Sequence, residues 1–499
     1  MEGRQECRGR ISVRIVAASL GLVFAVQPGG AAAGPGLTEI VSVRSNGKQA
    51  DNISARFSPP AVSPDGLVVA FDSIATNLVG GDTNAAMDVF VHDPASGKTE
   101  RVSVSSKGKQ ADGFSRDPSV SAEGRFVAFT SGATNLVPGD TNGFEDVFVR
   151  DRLTGQTRLV SVGFDATPAD GASLGPSISR DGRFVAFASD ASNLIPSGAV
   201  PAGRDIYVRD LVTGTTQLVS VTASGQASGS STVGDISADG RLVAFSSFSA
   251  NLVPGDTNDA FDVFVRDRAA GTTGRVSVDS AGLQADAASG GPHISGDGRF
   301  VAFSSEASNL VPGDTNGRRD IFVNELTVGS TQRVSVDSAG NEANSQSDGP
   351  GIRGGLSWGP DISGDGRFVA FDSIATNLVA DDTNTCGPFY QSPAGACPDV
   401  FVHDRLTGET RRVSVDGAGA QANAASTDPA ISADGSVVAF FSPAQNLVPN
   451  DTNTCPAFGT PPGACPDVFV QSDSSPSRDQ AGEPGRCGKR AGDPMAFKG

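Results

Sequence analysis

Short apolar stretches recur along this chain, and turn-forming residues separate them. Between residues 117 and 162 they are DPSVS (117–121), RFVAFTS (125–131), DVFVRD (146–151) and TRLVSV (157–162). Runs of this length, rich in Val and Phe and bounded by Gly, predict β-strands. RFVAF and DVFV carry apolar side chains at consecutive positions, which is typical of strands buried on both faces. The segment therefore predicts four short antiparallel strands.

The same four-strand pattern repeats along the chain. Its clearest marker is a Ser-x-Asp/Glu-Gly tetrapeptide between the first two strands, where Gly accommodates a positive φ in a tight hairpin turn. The marker occurs at 63–66, 121–124, 179–182, 237–240, 295–298, 363–366 and 432–435. One four-stranded sheet cannot bury both of its faces, whereas seven sheets packed around an axis can. The sequence predicts an all-β, seven-bladed β-propeller.

The phase of the repeat predicts how the ring closes. TEIVSV (38–43) matches the fourth strand TRLVSV but precedes the first complete unit, and the seventh unit ends after its third strand, DVFVQSD (467–473). We expect the N-terminal strand to complete the last blade, because this pairing removes an open sheet edge.

The two ends of the chain do not follow the repeat. Residues 1–33 combine four arginines, an apolar run at 15–26 and an Ala-x-Ala site, the pattern of a secretory signal peptide. A retained N-terminal anchor is the alternative. Residues 34–472 form the predicted propeller, and residues 473–499 are expected to be a disordered tail. We expect a secreted or periplasmic monomer with no membrane insertion once the signal is removed.

Composition supports this picture and narrows the partners. Gly and Pro number 62 and 30, and the formal net charge of −18 becomes −20 when the signal removes four Arg and two Glu. Such an acidic chain, without a Lys/Arg cluster, is not expected to bind nucleic acid.

The repeat also resembles a known family. SPDGLVVAF (63–71), SADG followed by an apolar strand, and DVFVRD resemble the repeats of TolB-type β-propellers over about residues 38–472. The resemblance implies a propeller fold. It implies little about activity, since such propellers act as binding platforms, as lids on hydrolases and as periplasmic scaffolds.

Insertions collect on one predicted rim of the propeller. The connection into blade 6 and the loops between second and third strands in blades 6 and 7 are lengthened, and they contain Trp358, Phe389, Tyr390 and Phe458. Exposed aromatic residues on such loops predict a binding surface for a protein or glycan partner, while packing of the loops against each other is the alternative.

The two inserted loops also hold four cysteines. In an exported chain we predict the disulfides Cys386–Cys397 and Cys455–Cys465, each within its own loop. Crossed bridges between the loops and a tetrahedral zinc site are the alternatives. No catalytic cysteine is indicated.

Asp-Thr-Asn precedes the third strand in six blades and raises the question of calcium. With the Asp that begins the strand it resembles, imperfectly, the calcium loops of integrin-type propellers, but it lacks the terminal bidentate Glu of an EF-hand. The candidate ligands are Asp82, Asn84, Asp88, Asp140, Asn142, Asp146, Asp256, Asn258, Asp262, Asp314, Asn316 and Asp320. The structural alternative is an Asx turn next to a loop–strand junction. No other cofactor is expected.

Candidate catalytic residues are few. His92 and His403 stand where other blades have Arg150 and Arg209 and are expected to be surface substitutions, while His293 precedes Ile294 in a first strand near the central channel. We predict a binding or scaffold module that is not an enzyme. A glycan lyase or hydrolase using the central channel and a calcium-binding propeller are the alternatives.

Overall fold

The fold was examined in a computed structural model of the 499-residue chain. The structure describes residues 36–55, 58–196, 203–222, 225–347, 359–386, 395–455 and 463–473. The predicted signal peptide, all but one residue of the predicted tail, and Trp358, Phe389, Tyr390 and Phe458 lie outside these ranges.

Seven four-stranded antiparallel sheets form within the described ranges, so the predicted all-β, seven-bladed propeller is confirmed. The first strands of blades 1–7 are Ala61–Val62, Ser115–Val120, Ser173–Ile178, Ser231–Ile236, Ser289–Ile294, Asp361–Ile362 and Thr427–Ile431. The second strands are Val69–Ser73, Phe126–Ser131, Phe184–Ser189, Leu242–Ser247, Phe300–Ser305, Phe368–Ser373 and Val437–Ser442. The third strands are Asp88–Asp93, Asp146–Asp151, Asp205–Asp210, Asp262–Asp267, Asp320–Glu325, Asp399–Asp404 and Asp467–Ser472. The fourth strands of blades 1–6 are Lys98–Arg101, Gln156–Leu159, Thr215–Leu218, Thr272–Arg275, Ser330–Arg333 and Glu409–Arg412.

Small elements complete the fold. Val221–Thr222 pairs with Gly225–Gln226, and Thr454–Cys455 pairs with Gly463–Ala464. A single 3₁₀ turn, Ala122–Gly124, forms the first hairpin turn of blade 2.

The ring closes as the repeat phase predicts. Leu37–Ile40 pairs antiparallel with Asp467–Ser472 and becomes the fourth strand of blade 7. The Val41 N–H then donates to the Val468 carbonyl, and Ser42 Oγ donates to Asp467 Oδ1 over 2.6 Å. The two ends of the propeller are therefore held by backbone and side-chain bonds in one sheet.

The hydrophobic core lies between blades. Each of seven buried clusters joins consecutive blades; Phe71 and Phe90 of blade 1, for example, share a cluster with Phe441 and Val468 of blade 7. Within every blade an aromatic residue of the second strand stacks on one of the third, with ring centroids 5.7–6.0 Å apart. This radial packing explains why the middle strands are apolar on both faces.

Hydrogen bonds and packing explain why the tetrapeptide turn contains Ser, Asp and Gly. Ser63 Oγ donates to Asp65 Oδ1 over 2.6 Å and accepts the N–H groups of Leu67 and Val68. The glycine has two constraints: Gly182 has φ +72°, and a Cβ there would lie 2.1 Å from the ring of Phe126 in the neighbouring blade. The tetrapeptide thus serves both the hairpin turn and the contact between blades.

Candidate functional site

The central channel is lined by the first strands of all seven blades. They enclose a cavity of about 290 Å³, whose wall carries Ile or Val at one position of each strand. Binding sites of propeller folds and other closed sheets commonly lie at such concave openings. The channel is the candidate functional site.

One position of the channel wall differs from blade to blade. It directly precedes the Ile or Val that recurs in each first strand. In chain order the residues at this position are Ala61, Ser119, Ser177, Asp235, His293, Asp361 and Ala430. Blades 2–6 therefore place five consecutive polar side chains around the channel, and blades 7 and 1 place alanine. We call Ser119, Ser177, Asp235, His293 and Asp361 the polar arc. The structure thus confirms the predicted location of His293.

His293 is paired with a carboxylate of the next blade. Its Nδ1 lies 3.2 Å from Asp361 Oδ1, and its side chain is 34% exposed toward the channel. Asp361 is held in turn by the backbone N–H of Ile362, over 2.8 Å, and by that of Ile431, over 2.7 Å. These bonds orient the imidazole against a fixed carboxylate.

Asp235 approaches His293 from the blade on the other side. It accepts hydrogen bonds from Ser177 Oγ over 2.6 Å and from the Ile236 N–H over 2.8 Å. Burial raises the pKa of Asp235, and the charge of His293 acts in the opposite direction. The imidazole is consequently flanked by two carboxylates, one from each neighbouring blade.

A second charged group lies beside the channel in blade 2. Arg116 pairs with Asp117 over 3.1 Å and with Glu145 over 2.8 Å. Asp117 has φ +55°, and its carboxylate interacts with Arg116 and with the Thr130 hydroxyl. Burial raises the pKa of the nearby Asp72 to about 7. Asp117 and Glu145 are already paired with Arg116. The side chains of the polar arc are therefore more available to a ligand.

The arrangement of the polar arc permits two kinds of chemistry. Carboxylate, imidazole and hydroxyl groups together can accept and donate hydrogen bonds to a polar ligand. An imidazole oriented by a carboxylate can also act as a general base. Within the described ranges, no three His, Cys, Asp or Glu side chains are grouped so as to hold a metal ion.

The aspartate that begins each third strand has a common role in all seven blades. In blade 1, Asp88 Oδ1 accepts from Ser103 Oγ over 2.5 Å, and the same hydroxyl accepts the Val89 N–H over 3.1 Å. The equivalent pairs are Ser161–Asp146, Ser220–Asp205, Ser277–Asp262, Ser335–Asp320, Ser414–Asp399 and Ser42–Asp467. The expected junction role is thus carried out through the serine two residues after the fourth strand, a partner that the strand pattern did not reveal.

The Asp-Thr-Asn segments supply further donors to these aspartates. Asn84 Oδ1 accepts the Ala86 N–H, as in an Asx turn, and Asn84 Nδ2 donates to Asp88 Oδ2 over 3.1 Å. Arg101 lies between the two acidic residues, 3.3 Å from Asp82 and 3.2 Å from Asp88. Arg275 and Arg333 take the same place in blades 4 and 5. The calcium interpretation of blades 1, 2, 4 and 5 stays a prediction.

Both predicted disulfides are present. Cys386 is bonded to Cys397, and Cys455 to Cys465, each with a Cα–Cα distance of 4.9 Å. The second pair contacts buried Ile53 of the connection into blade 1. Neither the crossed bridges nor a zinc site forms from these four cysteines.

The expected surface position of His92 and His403 is wrong. Their side chains are buried, and each Nδ1 lies 2.8 Å from a threonine hydroxyl of the fourth strand, Thr99 or Thr410. Arg150 reaches the equivalent threonine in blade 2. Burial lowers the pKa of His403 to about 4, so the imidazole replaces the arginine as a neutral partner.

Exposed aromatic residues occur on the insertion-bearing rim at places that the insertions did not indicate. Phe248 and Phe261 of blade 4 form a pair with centroids 5.5 Å apart and are 51% and 37% exposed. Phe144 and Phe164 are also exposed. They occupy ordinary repeat positions, so only comparison of the repeats position by position would have singled them out.

Comparisons with known proteins show what the chain is similar to. No family model and no curated protein matches the sequence. Among solved structures, a putative TolB from Agrobacterium tumefaciens aligns at 16% identity over 75% of this chain and 94% of that chain, with a TM-score of 0.38. An oligogalacturonate lyase from Vibrio parahaemolyticus aligns at 12% identity over 88% and 97%, with a TM-score of 0.47. A puromycin-hydrolyzing peptidase from Mycobacterium tuberculosis aligns at 16% identity over 82% and 52%, with a TM-score of 0.44.

These likenesses support the fold and correct one prediction. The resemblance to TolB-type propellers is confirmed as a likeness of fold. The prediction that the protein is not an enzyme is wrong as an inference from architecture, because the similar structures include a lyase and peptidases. Fold alone does not carry function.

The disulfides bear on the location of the protein. The two disulfides fit an extracellular or periplasmic protein. A search of the described ranges found no helix with the length and apolar character required to cross a membrane.

Proposed function

We propose that this chain is an exported β-propeller that binds the end of a glycan in its central channel, at the polar arc. The observation that carries the proposal is the run of Ser119, Ser177, Asp235, His293 and Asp361 at one position of five consecutive blades. Scaffold contacts alone do not require this change of residue type, since Ala61 and Ala430 fill the same position in blades 1 and 7.

The size and chemistry of the channel favour a glycan end over a folded protein. The cavity of about 290 Å³ lies at the small end of ligand pockets and admits a sugar unit or a short chain. Two carboxylates accept hydrogen bonds from hydroxyl or amino groups, and the hydroxyls of Ser119 and Ser177 can donate as well as accept. The acidic charge of the chain favours neutral or amino-bearing sugars.

The inserted loops are proposed to extend this site to a longer partner. Trp358, Phe389, Tyr390 and Phe458 were predicted from the sequence to occupy the rim on which the first strands begin, the rim that also carries the exposed Phe248–Phe261 pair. Aromatic side chains provide large contact areas for a partner that leaves the channel.

Substitution at the polar arc is expected to weaken glycan binding. In calorimetric titrations with neutral and amino-bearing oligosaccharides, Asp361→Asn should raise Kd at least about tenfold, because a charged hydrogen bond contributes about 1.5–3 kcal/mol. The exposed Glu409 lies on the outer strand of the same blade, so Glu409→Ala is the matched control and should bind as the wild type does. Equal affinity of the wild type and Asp361→Asn for every bound sugar would contradict the channel as the site.

A glycan-cleaving activity in the same channel is the second candidate, and the His293–Asp361 pair favours it. A histidine oriented by a carboxylate at 3.2 Å has the geometry of a general base. We expect purified protein to release unsaturated or reducing ends from a polysaccharide, and His293→Ala to lower kcat at least about a hundredfold. An activity that persists in His293→Ala would exclude this residue as the base. If the protein binds glycans but cleaves none, only the binding function is supported.

A further inference from the structure

The buried acidic residues at the start of the third strands are compensated differently in blade 2 than in blades 1, 4, 5, 6 and 7. In blade 1, Asp88 Oδ2 receives three donors: Asn84 Nδ2, Gln110 Nε2 over 3.1 Å and Arg101 Nη1 over 3.2 Å. Gln110 Nε2 also donates to Asp82 over 2.7 Å. The guanidinium of Arg101 and the amide of Gln110 thus each contact both carboxylates.

Blade 2 lacks both of these shared donors. The strand register aligns Leu159 with Arg101, because each lies opposite the stacked phenylalanine of the third strand. The bridge that connects Val104 to Gln110 in blade 1 connects Val162 to Pro168 in blade 2. A leucine and a proline therefore replace the guanidinium and the amide.

Asp140 is left without a counterpart as a result. Its residue is 6% exposed, and no hydrogen bond or ion pair to its side chain is found within the part of the chain that the structure describes. Asp146 keeps Ser161 and Asn142, both over 2.6 Å, but no cation.

The other blades serve as internal comparisons. Arg275, Arg333 and Arg412 each lie within 3.8 Å of both acidic residues in blades 4, 5 and 6. Blade 7 has Ile40 in place of the arginine but keeps an amide, since Gln49 Nε2 contacts Asp451 Oδ1 at 3.4 Å. Blade 2 combines two buried carboxylates with neither donor.

We propose that Asp140 and Asp146 of blade 2 bind one calcium ion, which takes the place that an arginine guanidinium fills in blades 1, 4, 5 and 6. Calcium prefers carboxylate and other oxygen ligands, and blade 2 holds two buried carboxylates with neither the arginine nor the glutamine of blade 1. Calcium binding is disfavoured in blades 1, 4 and 5, because the arginine there would repel the ion.

Calorimetric titration of chelator-treated protein with calcium chloride tests this site. We expect one ion per chain, with a Kd on the order of 0.1–1 mM as in extracellular calcium modules. Asp140→Asn should abolish the heat of binding. Asp82→Asn, the same change at the equivalent position of blade 1, should leave one ion bound.

Leu159→Arg provides a test that does not depend on loss of a carboxylate. The added guanidinium should abolish calcium binding and should raise the Tm measured without calcium, whereas a substitution that merely disturbs packing would lower it. Absence of binding to the wild type, or binding that survives Asp140→Asn, would overturn the proposal. More than one bound ion, reduced by Asp82→Asn, would show that arginine does not exclude calcium and would overturn the selection of blade 2.

Discussion

Removal of residues 36–44 is expected to destabilise the entire ring. The segment supplies the fourth strand of blade 7, the fully buried Val41 and the Ser42 hydroxyl that binds Asp467. Burial of one Val or Ile side chain stabilises a fold by about 1.5–3 kcal/mol, so loss of the strand should cost more than about 5 kcal/mol. It also exposes the edge of Asp467–Ser472, which favours association between molecules.

Calorimetry and light scattering would show both effects. We expect the Tm to fall by at least about 5 °C, with increased association, since 1 kcal/mol corresponds to about 2–4 °C for 150–250 residues and less for a longer chain. Val41→Ala should reproduce part of the loss, and Leu37→Ala, at a side chain 57% exposed, should have little effect. An unchanged Tm in the shortened protein would contradict the closure of the ring by this strand.

Stability is expected to decrease as pH rises from about 5 to 8. Burial raises the pKa of Asp72 and Asp467 to about 7. It raises the pKa of Asp146, Asp320, Asp399 and Asp451 to about 6. Between the ordinary pKa of aspartate and these values, the folded protein holds more protons than the unfolded chain. The free energy of unfolding therefore falls as pH rises, by up to about 1.4 kcal/mol per pH unit for each titrating group.

Other groups act at different pH or in the opposite direction. The lowered pKa of His403, about 4, makes stability rise with pH between about 4 and 6.5, but it opposes a larger number of aspartates. Arg125 holds the pKa of Asp151 at about 2, so the contribution of that ion pair is lost only in stronger acid. The Tm should consequently be highest near pH 4.

Scanning calorimetry between pH 4 and 8 at constant ionic strength would measure this profile. Asp72→Asn should make the decline between pH 5 and 8 shallower, because the amide remains neutral and the hydroxyl of Ser58, its present donor, can rotate. A Tm that increases steadily from pH 5 to 8 would be inconsistent with buried aspartates of raised pKa.

Much of the architecture was accessible from the sequence because its signals are local and repeated. The tetrapeptide turn, the apolar second and third strands and the fourth-strand pattern lie within about 58 residues in blades 1–4 and recur seven times. The position of TEIVSV ahead of the first unit predicted the closing strand, and the two cysteine pairs lay within separate loops. These features depend on neighbours along the chain or on the phase of the repeat.

The candidate sites required contacts between distant residues. His293 could be assigned to a first strand, but the adjacent Asp235 and Asp361 lie 58 and 68 residues away and meet it only when the blades surround a channel. His92 and His403 were expected to be exposed because arginine fills their position elsewhere, whereas both side chains are buried in the folded protein.

The sequence by itself determined that this protein is a ring of seven four-stranded units closed by its N-terminal strand, because hydrophobic period and turn chemistry act over a few residues. Only the tertiary structure decided which polar residues face one another. It placed the polar arc around a common axis, and it aligned Leu159 and Pro168 of blade 2 with Arg101 and Gln110 of blade 1. This difference distinguishes blade 2 from the other blades that contain Asp-Thr-Asn. The physical reason is that charge compensation and burial depend on distances in space, which a repeat of similar segments does not specify.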